Sequence, residues 1–266
     1  MLPISPHPAR IEPTADAALE LSMRARRAPL APARARAVLI VSLLLAAATA
    51  AAATGYVDLR RAEPIVDADA DAGRAKATVC LACHDASGVA TAPIYPSLRG
   101  QTVEYLYWSL IDFKRGERTG SVMTPLVANL DDQDLRDLAA FYAARSEQPA
   151  TATAAATAAG DELARGESLY LHGNPEQGVP PCQGCHGPDG RGHPLVVYGR
   201  ADAPAYLRTY PALRGQQRAF VAGKLREHRA GTLVDSTNDF IMNGVAASMD
   251  DESIEAIAAW LESLPF

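Results

Sequence analysis

All four cysteines of this chain lie in two copies of one short motif, in which two cysteines three positions apart are followed directly by a histidine. The copies read VCLACHDASG at 79–88 and PCQGCHGPDG at 181–190. Two such matches arise by chance on the order of once in a million if each residue type makes up a few percent of proteins. Any fold proposed for the chain therefore has to contain two sites of the same kind, one at each motif.

Four kinds of chemistry use closely spaced cysteines. Disulfide bonds would suit an exported chain with an even number of cysteines. A thioredoxin-like redox pair needs a strand–helix–strand setting that the sequence lacks, and a single zinc site would have to join cysteine pairs from separate repeats. Covalent attachment of c-type haem accounts for every residue, because two thiols add to the two vinyl groups and the adjacent histidine lies under the iron.

The motif therefore predicts two covalently bound haem c groups. The residues assigned to them are Cys80, Cys83 and His84 for the first haem, and Cys182, Cys185 and His186 for the second. Large apolar cofactors would also compensate for a core that is poor in aromatic residues, which make up only 6% of the chain.

The segments around the motifs are repeated as well. YPSLRGQ at 95–101 recurs as YPALRGQ at 210–216, and 123–143 recurs at 242–262 with its methionine, Asp-Asp pair and Ala-Ala-aromatic end at the same offsets. This pattern indicates a tandem duplication of one small domain. The Ala/Thr-rich stretch between the copies is typical of a linker.

Each repeat is predicted to be helical, because no alternating strand pattern of useful length appears. Both final helices carry an apolar stripe that begins after an aspartate pair suited to an N-cap, at 131–132 and 250–251. The stripe residues are Leu135, Leu138, Ala139 and Tyr142 in the first repeat, and Ile254, Ile257, Ala258 and Leu261 in the second. Earlier helices are predicted at 69–80 and 161–172. Gly73 and Gly166 are either positions where another helix crosses closely or ordinary helix glycines, and the sequence favours neither.

A methionine on the far side of each iron would raise its potential and suit electron transfer. Met123 is the candidate in the first repeat, since no other methionine lies between the leader and the second repeat. The second repeat offers Met242, which aligns with Met123, and Met249, which aligns with an apolar packing position. The repeat therefore favours Met242 as the ligand.

Histidines outside the motifs are alternatives for that position. His193 follows its motif too closely to reach the opposite haem face, and His228 lies in a charged stretch typical of a solvated helix.

Each proximal imidazole should donate its other N–H to a backbone carbonyl, for which the loops near Pro93 and Pro194 are the expected places. The YPxLRGQ segments serve either as turns or as contacts for the haem propionates, and the sequence favours neither. The side chains available for such contacts are Tyr95, Arg99, Tyr210 and Arg214.

The segment 37–57 is apolar and free of charge, long enough to span a bilayer, and preceded by arginines that would stay in the cytoplasm. A cleaved signal peptide is the alternative, with a small-residue cleavage site at 48–50 and with Met23 as a possible true start. Both alternatives export the rest of the chain.

Residues 1–36 hold six arginines and three acidic residues and therefore carry a net charge of +3. Because the net charge of the whole chain is −6, the remaining residues carry −9. An acidic body argues against nucleic acid as a partner. It fits either a basic docking surface on another protein or the ordinary acidic surface of a soluble domain. The predicted organisation is a basic cytoplasmic leader at 1–36, a transmembrane anchor or signal segment at 37–57, a first domain at 58–145, a linker at 146–160 and a second domain at 161–266.

With two CxxCH motifs, two YPxLRGQ segments and the repeated methionine spacing, the chain resembles the dihaem cytochrome c4 family over about residues 69–266. The resemblance implies an all-α fold of two tandem class I cytochrome c domains, here preceded by an N-terminal transmembrane helix. It also implies a non-enzymatic carrier of single electrons on the periplasmic face of the bacterial inner membrane. Its partners would be the bc1 complex or another donor and a terminal oxidase such as the cbb3 type.

The chain departs from the family pattern in three places. The family favours glycine where Asp85 follows the first motif, and the second repeat carries additional stretches at 172–181 and 193–209. These stretches leave the partner open. Two other functions are therefore retained: a subunit stably bound to an oxidase or periplasmic dehydrogenase, and a dihaem peroxidase, which the aligned methionines disfavour.

Overall fold

The computed structural model describes residues 61, 63–118, 120–147, 160–200, 202–234 and 236–266. The leader at 1–36, the apolar segment 37–57 and most of the predicted linker lie outside these residues. Among the helices within them, none has the length and apolar character needed to cross a membrane. The part before residue 148 is called the first repeat below, and the part from residue 160 onward the second repeat.

The first repeat consists of helices joined by turns. Its α-helices are α1 (Ala70–Lys76), α2 (Leu81–His84), α3 (Val103–Arg115), α4 (Met123–Val127) and α5 (Asp132–Ala143), with 3₁₀ turns at Ala77–Val79 and Ala144–Glu147.

The second repeat follows the same plan with one additional short helix. Its α-helices are α6 (Gly160–His172), α7 (Gln183–His186), α8 (Pro194–Val197), α9 (Arg218–Arg229), α10 (Thr237–Ala246) and α11 (Asp251–Ser263), with a 3₁₀ turn at Ala205–Thr209. Over the described residues, extended pairing is limited to one isolated bridge between Asn174 and Val179. The predicted helical fold class is confirmed for this part of the chain.

The final helix of each repeat begins at the aspartate that the sequence indicated. Asp131 accepts from the backbone N–H of Asp134 at 2.8 Å, and Asp134 accepts from the N–H of Asp131 at 3.0 Å, which forms a reciprocal capping box. In the second repeat Asp250 accepts from the N–H of Ser253 at 2.7 Å. All eight predicted stripe residues are buried, so α5 and α11 form the centre of the two cores.

The first helix of each repeat crosses the final one at a glycine. A Cβ atom on Gly73 would lie 2.0 Å from the carbonyl oxygen of Asp137 in α5, and one on Gly166 would lie 2.0 Å from that of Ala256 in α11. Neither position can therefore hold any other residue without moving the helices apart. Of the two alternatives left open for these glycines, the structure shows the close crossing in both repeats.

Candidate haem-binding sites

Each CxxCH motif folds into a single helical turn. The backbone N–H of His84 donates to the carbonyl of Cys80 at 3.0 Å, and the N–H of His186 donates to that of Cys182 at 3.0 Å. This turn places residues three and four apart on one face, so the two cysteines and the histidine of each motif are brought together. No disulfide joins any of the four cysteines, all of which lie within the described residues, so the structure does not support the disulfide alternative.

The two motif histidines are buried and held in one orientation. The Nδ1 atom of His84 lies 2.9 Å from the carbonyl oxygen of Pro96, and Nδ1 of His186 lies 2.9 Å from that of Pro211. A carbonyl can only accept, so Nδ1 carries the proton and the lone pair of Nε2 is left for a metal. Burial lowers the pKa of both histidines, which keeps the imidazoles neutral, as a metal ligand must be.

The first carbonyl acceptor, Pro96, lies in the loop near Pro93 as expected from the sequence. The expectation near Pro194 was wrong, because the second acceptor is Pro211. Both acceptors belong to the YPxLRGQ segments. These segments close the loop after each motif. Leu98 and Leu213, which lie two residues after these prolines, donate N–H bonds of 2.7 and 2.6 Å to the carbonyls of Gly88 and Gly190, respectively.

Arg99 and Arg214 donate a second backbone N–H to the same two carbonyls, at 3.1 and 3.0 Å. Both YPxLRGQ segments are thus turns that support the histidines.

The methionines occupy two different environments. Met123 opens α4 and Met242 lies within α10, and both are partly buried. Met249 is only 4% exposed and packs in the core of the second repeat, as expected for its apolar position. The structure thus separates Met242 from Met249 by burial, while the binding of Met123 and Met242 to iron stays a prediction.

Two further histidines of the second repeat, His193 and His228, have local partners. The Nδ1 atom of His193 accepts from the backbone N–H of Leu195 at 3.3 Å and caps α8. His228 is half-buried rather than solvated as predicted, and its Nδ1 lies 2.9 Å from Oδ1 of Asn243. The difference arises because α9 packs along α10, which covers one side of the imidazole.

Among the buried side-chain donors without a hydrogen-bond partner in the described residues are the indole Nε1 of Trp108, the hydroxyl of Tyr142 and Nε of Arg214. A buried donor without an acceptor is costly, so these atoms indicate a bound group rich in acceptor oxygens. The two propionate carboxylates of haem would provide such oxygens, and the residues present therefore fit haem.

Arg214 was named from the sequence as a candidate for contacts with the haem propionates, but Trp108 was not considered. The available signal was a tryptophan N–H that needs a partner if it is buried.

Comparisons with known proteins agree with this geometry. A family model described as cytochrome c matches residues 163–265. Cytochrome c4 of Thiocapsa roseopersicina is 41% identical over 198 residues, which cover 74% of this chain and 93% of that protein. The chain belongs to the cytochrome c4 family.

Two further relatives of this cytochrome c4 chain extend the comparison. The crystal structure of reduced recombinant cytochrome c4 from Pseudomonas stutzeri superposes with a TM-score of 0.61 at 35% identity, covering 74% of this chain and 99% of that one. A protein named thiosulfate dehydrogenase electron acceptor, from Stutzerimonas stutzeri strain A1501, is 31% identical over 71% of this chain and 80% of its own.

Membership of the cytochrome c4 family establishes three of the predictions. The fold is the helical class I cytochrome c fold, the cofactors are two covalently bound haem c groups, and the protein is an electron-transfer cytochrome.

The departure at Asp85 has a local explanation. Asp85 has φ of 37°, a left-handed conformation in which glycine is favoured, and Gly187 holds the same place in the second repeat with φ of 78°. The carboxylate of Asp85 accepts from the N–H groups of Ser87 at 2.7 Å and Val89 at 3.0 Å. Local hydrogen bonds of this kind let aspartate adopt the conformation, so the first motif keeps its geometry without glycine.

Proposed function

We propose that this cytochrome carries single electrons between redox proteins through two six-coordinate haems. His84 and Met123 would bind the iron of the haem attached at Cys80 and Cys83. His186 and Met242 would bind the iron of the haem attached at Cys182 and Cys185. The observation that carries the proposal is the fixed and buried position of both motif histidines, each with its Nδ1 atom 2.9 Å from a proline carbonyl oxygen.

The haems supply one-electron iron chemistry, and methionine ligation raises the potential. The residues of the chain hold the histidine rings in place, exclude water from them and provide donors for acceptor groups. A methionine in the same place of each repeat supports a carrier over a peroxidase, because a peroxidase needs one iron with an open position.

Respiratory partners are the first candidates, with the bc1 complex or another donor supplying electrons and a terminal oxidase such as the cbb3 type accepting them. Similarity to the thiosulfate dehydrogenase electron acceptor supports a second donor class, a periplasmic dehydrogenase. A stable complex with such a dehydrogenase or with an oxidase remains the alternative to a free carrier. Co-migration with a large complex after detergent solubilisation would support the stable subunit.

The haem domains are proposed to face the periplasm, with 37–57 as their anchor in the inner membrane. The sequence of that segment supports export, and N-terminal sequencing of the mature protein would show whether the segment is retained.

The test of the proposed function is spectroscopic. Intact mass should show two covalently added haems, and electron paramagnetic resonance of the oxidised protein should show two low-spin irons. A high-spin iron, or cyanide binding at neutral pH without displacement of methionine, would contradict the carrier and favour the peroxidase. Zinc in place of haem would contradict the assignment of both motifs.

A further inference from the structure

Two glutamines join the repeats through mutually equivalent hydrogen bonds. Gln101 and Gln216 are the last residues of the two YPxLRGQ segments. Gln101 accepts from the N–H of Ala212 at 3.0 Å and donates to the carbonyl of Ala212 at 2.6 Å. Gln216 accepts from the N–H of Ser97 at 2.7 Å and donates to the carbonyl of Ser97 at 2.8 Å. Ser97 and Ala212 are equivalent positions of the repeat, so the two bridges are related by the internal duplication.

Each bridge ends on the peptide group that also supports a haem histidine. The peptide between Pro96 and Ser97 accepts from Nδ1 of His84 through its oxygen and donates to Gln216 through its N–H. The peptide between Pro211 and Ala212 connects His186 and Gln101 in the same way. One peptide group therefore separates each proximal histidine from a glutamine of the other repeat.

The Gln216–Ser97 bridge is buried on both sides, and in the other bridge Gln101 is buried while Ala212 is half-buried. Gln101 is 7% exposed, Gln216 is 4% exposed and Ser97 is 1% exposed. Hydrogen bonds in such surroundings are stronger than in water, and successive bonds polarise one another. A peptide whose N–H donates to a glutamine oxygen carries more negative charge on its own oxygen. It is then the better acceptor for the histidine N–H.

We propose that Gln101 and Gln216 are positioning residues that lower the reduction potential of the haem in the opposite repeat. The inference rests on the proposed function, in which His84 and His186 bind the irons. A stronger acceptor at Nδ1 makes the imidazole a more basic ligand. A more basic ligand stabilises the oxidised iron, so each glutamine favours the ferric state across the interface.

Each glutamine acts on the haem of the other repeat, which distinguishes this effect from a local one. Gln216 belongs to the second repeat and acts on the haem bound at His84, whereas Gln101 belongs to the first repeat and acts on the haem bound at His186. Each potential thus depends on the contact between the two repeats.

The experiment uses the full-length holoprotein and the variants Gln216→Met and Gln101→Met, which keep the side-chain length and remove the amide. Redox titration is followed by the haem methyl resonances, which report each haem separately. Gln216→Met should increase the ratio of reduced to oxidised first haem at a fixed potential by a factor of about 3 to 10, the upper value being 59 mV for one electron. Gln101→Met should do the same for the second haem.

Gln217→Met is the matched control, because Gln217 is adjacent to Gln216 and its side chain takes no part in either bridge. Gln216→Glu is the conservative variant. It keeps an acceptor for the N–H of Ser97 and should return the potential of the first haem to the wild-type value or below it.

Three results would overturn the inference: no shift, a shift confined to the haem of the mutated repeat, or a fall in both potentials. The last would indicate entry of water, which stabilises the ferric charge. If Gln216→Met does not incorporate both haems, Gln101→Met tests the mirror relation independently. A wild-type spectrum without low-spin, histidine-bound iron would instead refute the proposed function, so the two failures are distinguishable.

Discussion

At the scale of single residues, the assignment of the sixth ligand depends on two methionines that lie seven positions apart in the second repeat. Met242 is partly buried in α10, whereas Met249 is buried among the core residues of its repeat. A thioether buried in the core stabilises the fold by packing, whereas a thioether that binds iron donates an electron pair to the metal. The two substitutions should therefore have different spectroscopic consequences.

Met242→Ala should remove the sulfur-to-iron charge-transfer band of one haem, yield one high-spin or water-bound iron and lower the potential of that haem. Met249→Leu should leave both bands in place and cost less than about 1.5 kcal/mol of unfolding free energy, because its volume is nearly conserved. Absorption spectra and chemical denaturation of both variants check this. If the charge-transfer band is lost in Met249→Leu but kept in Met242→Ala, Met249 is the iron ligand and Met242 is the core residue.

The sequence was sufficient to predict candidate residues whose chemistry is local. Cysteine, histidine and methionine spacing in the repeats predicted the candidate ligands, and alignment of the repeats separated Met242 from Met249. The carbonyl acceptor of the second repeat was misplaced, because the loop after that motif returns to Gly190 through two hydrogen bonds and Pro211 becomes the acceptor. Every residue has a carbonyl, so no residue type marks which one will lie under the imidazole.

At the scale of helices, both repeats have the same crossing at a glycine. Gly73→Ala and Gly166→Ala should each reduce the unfolding free energy by about 3 kcal/mol, because the new methyl group overlaps a backbone carbonyl that cannot move alone. Gly223→Ala is the control within α9, since its Cβ would meet nothing within 4 Å. That variant should gain about 0.5 kcal/mol from helix propensity. Thermal or denaturant unfolding of the holoproteins measures all three.

The contact between α3 and α5 in the first repeat differs in chemistry from the corresponding contact between α9 and α11 in the second. In the first repeat the hydroxyl of Tyr107 on α3 donates to Asp132 on α5 at 2.6 Å. In the second repeat Arg226 on α9 bonds Asp251 at 3.1 Å and Glu255 at 2.8 Å on α11. The repeated fold thus tolerates either a tyrosine hydrogen bond or ion pairs at this contact between helices.

Tyr107→Phe should cost about 1 kcal/mol near neutral pH by removing a bond to a charged acceptor. The bond from Tyr107, followed by that from Arg136, holds the pKa of Asp132 below its usual 3.8. A depressed acid pKa gives stability that is present above the unfolded value and lost as the pH falls through the folded value. The difference between wild type and Tyr107→Phe should therefore persist down to about pH 4 and shrink below it.

A double-mutant cycle with Asp132→Asn isolates the pair at the α3–α5 joint. A cost of Tyr107→Phe that stays constant from about pH 7 to about pH 2 would show that the charge of Asp132 does not contribute to it.

Helices of this kind were predictable because periodicity, capping aspartates and crossing glycines are encoded within each segment. The glutamine bridges were not, although both YPxLRGQ segments had been recognised. The partner of Gln101 is a backbone group more than 100 residues away, and its position depends on how two separately folded repeats meet. No local pattern specifies that contact.

At the scale of the whole molecule, the charge after residue 57 is −9, while the leader is positive. Attraction between opposite charges accelerates encounter and weakens as salt screens it. A basic docking surface on the partner is therefore expected, in agreement with the electron-carrier function.

Small redox ions of opposite charge test this expectation without requiring the identity of the partner. Stopped-flow reduction of the fully oxidised protein by cationic hexaammineruthenium(II) should slow as ionic strength rises, whereas reduction by anionic ferrocyanide should accelerate. A neutral reductant should show almost no dependence, which controls for effects of salt on the haems themselves. If both ions follow the neutral reductant, the acidic charge is remote from the sites of electron entry, and a basic partner would no longer be expected.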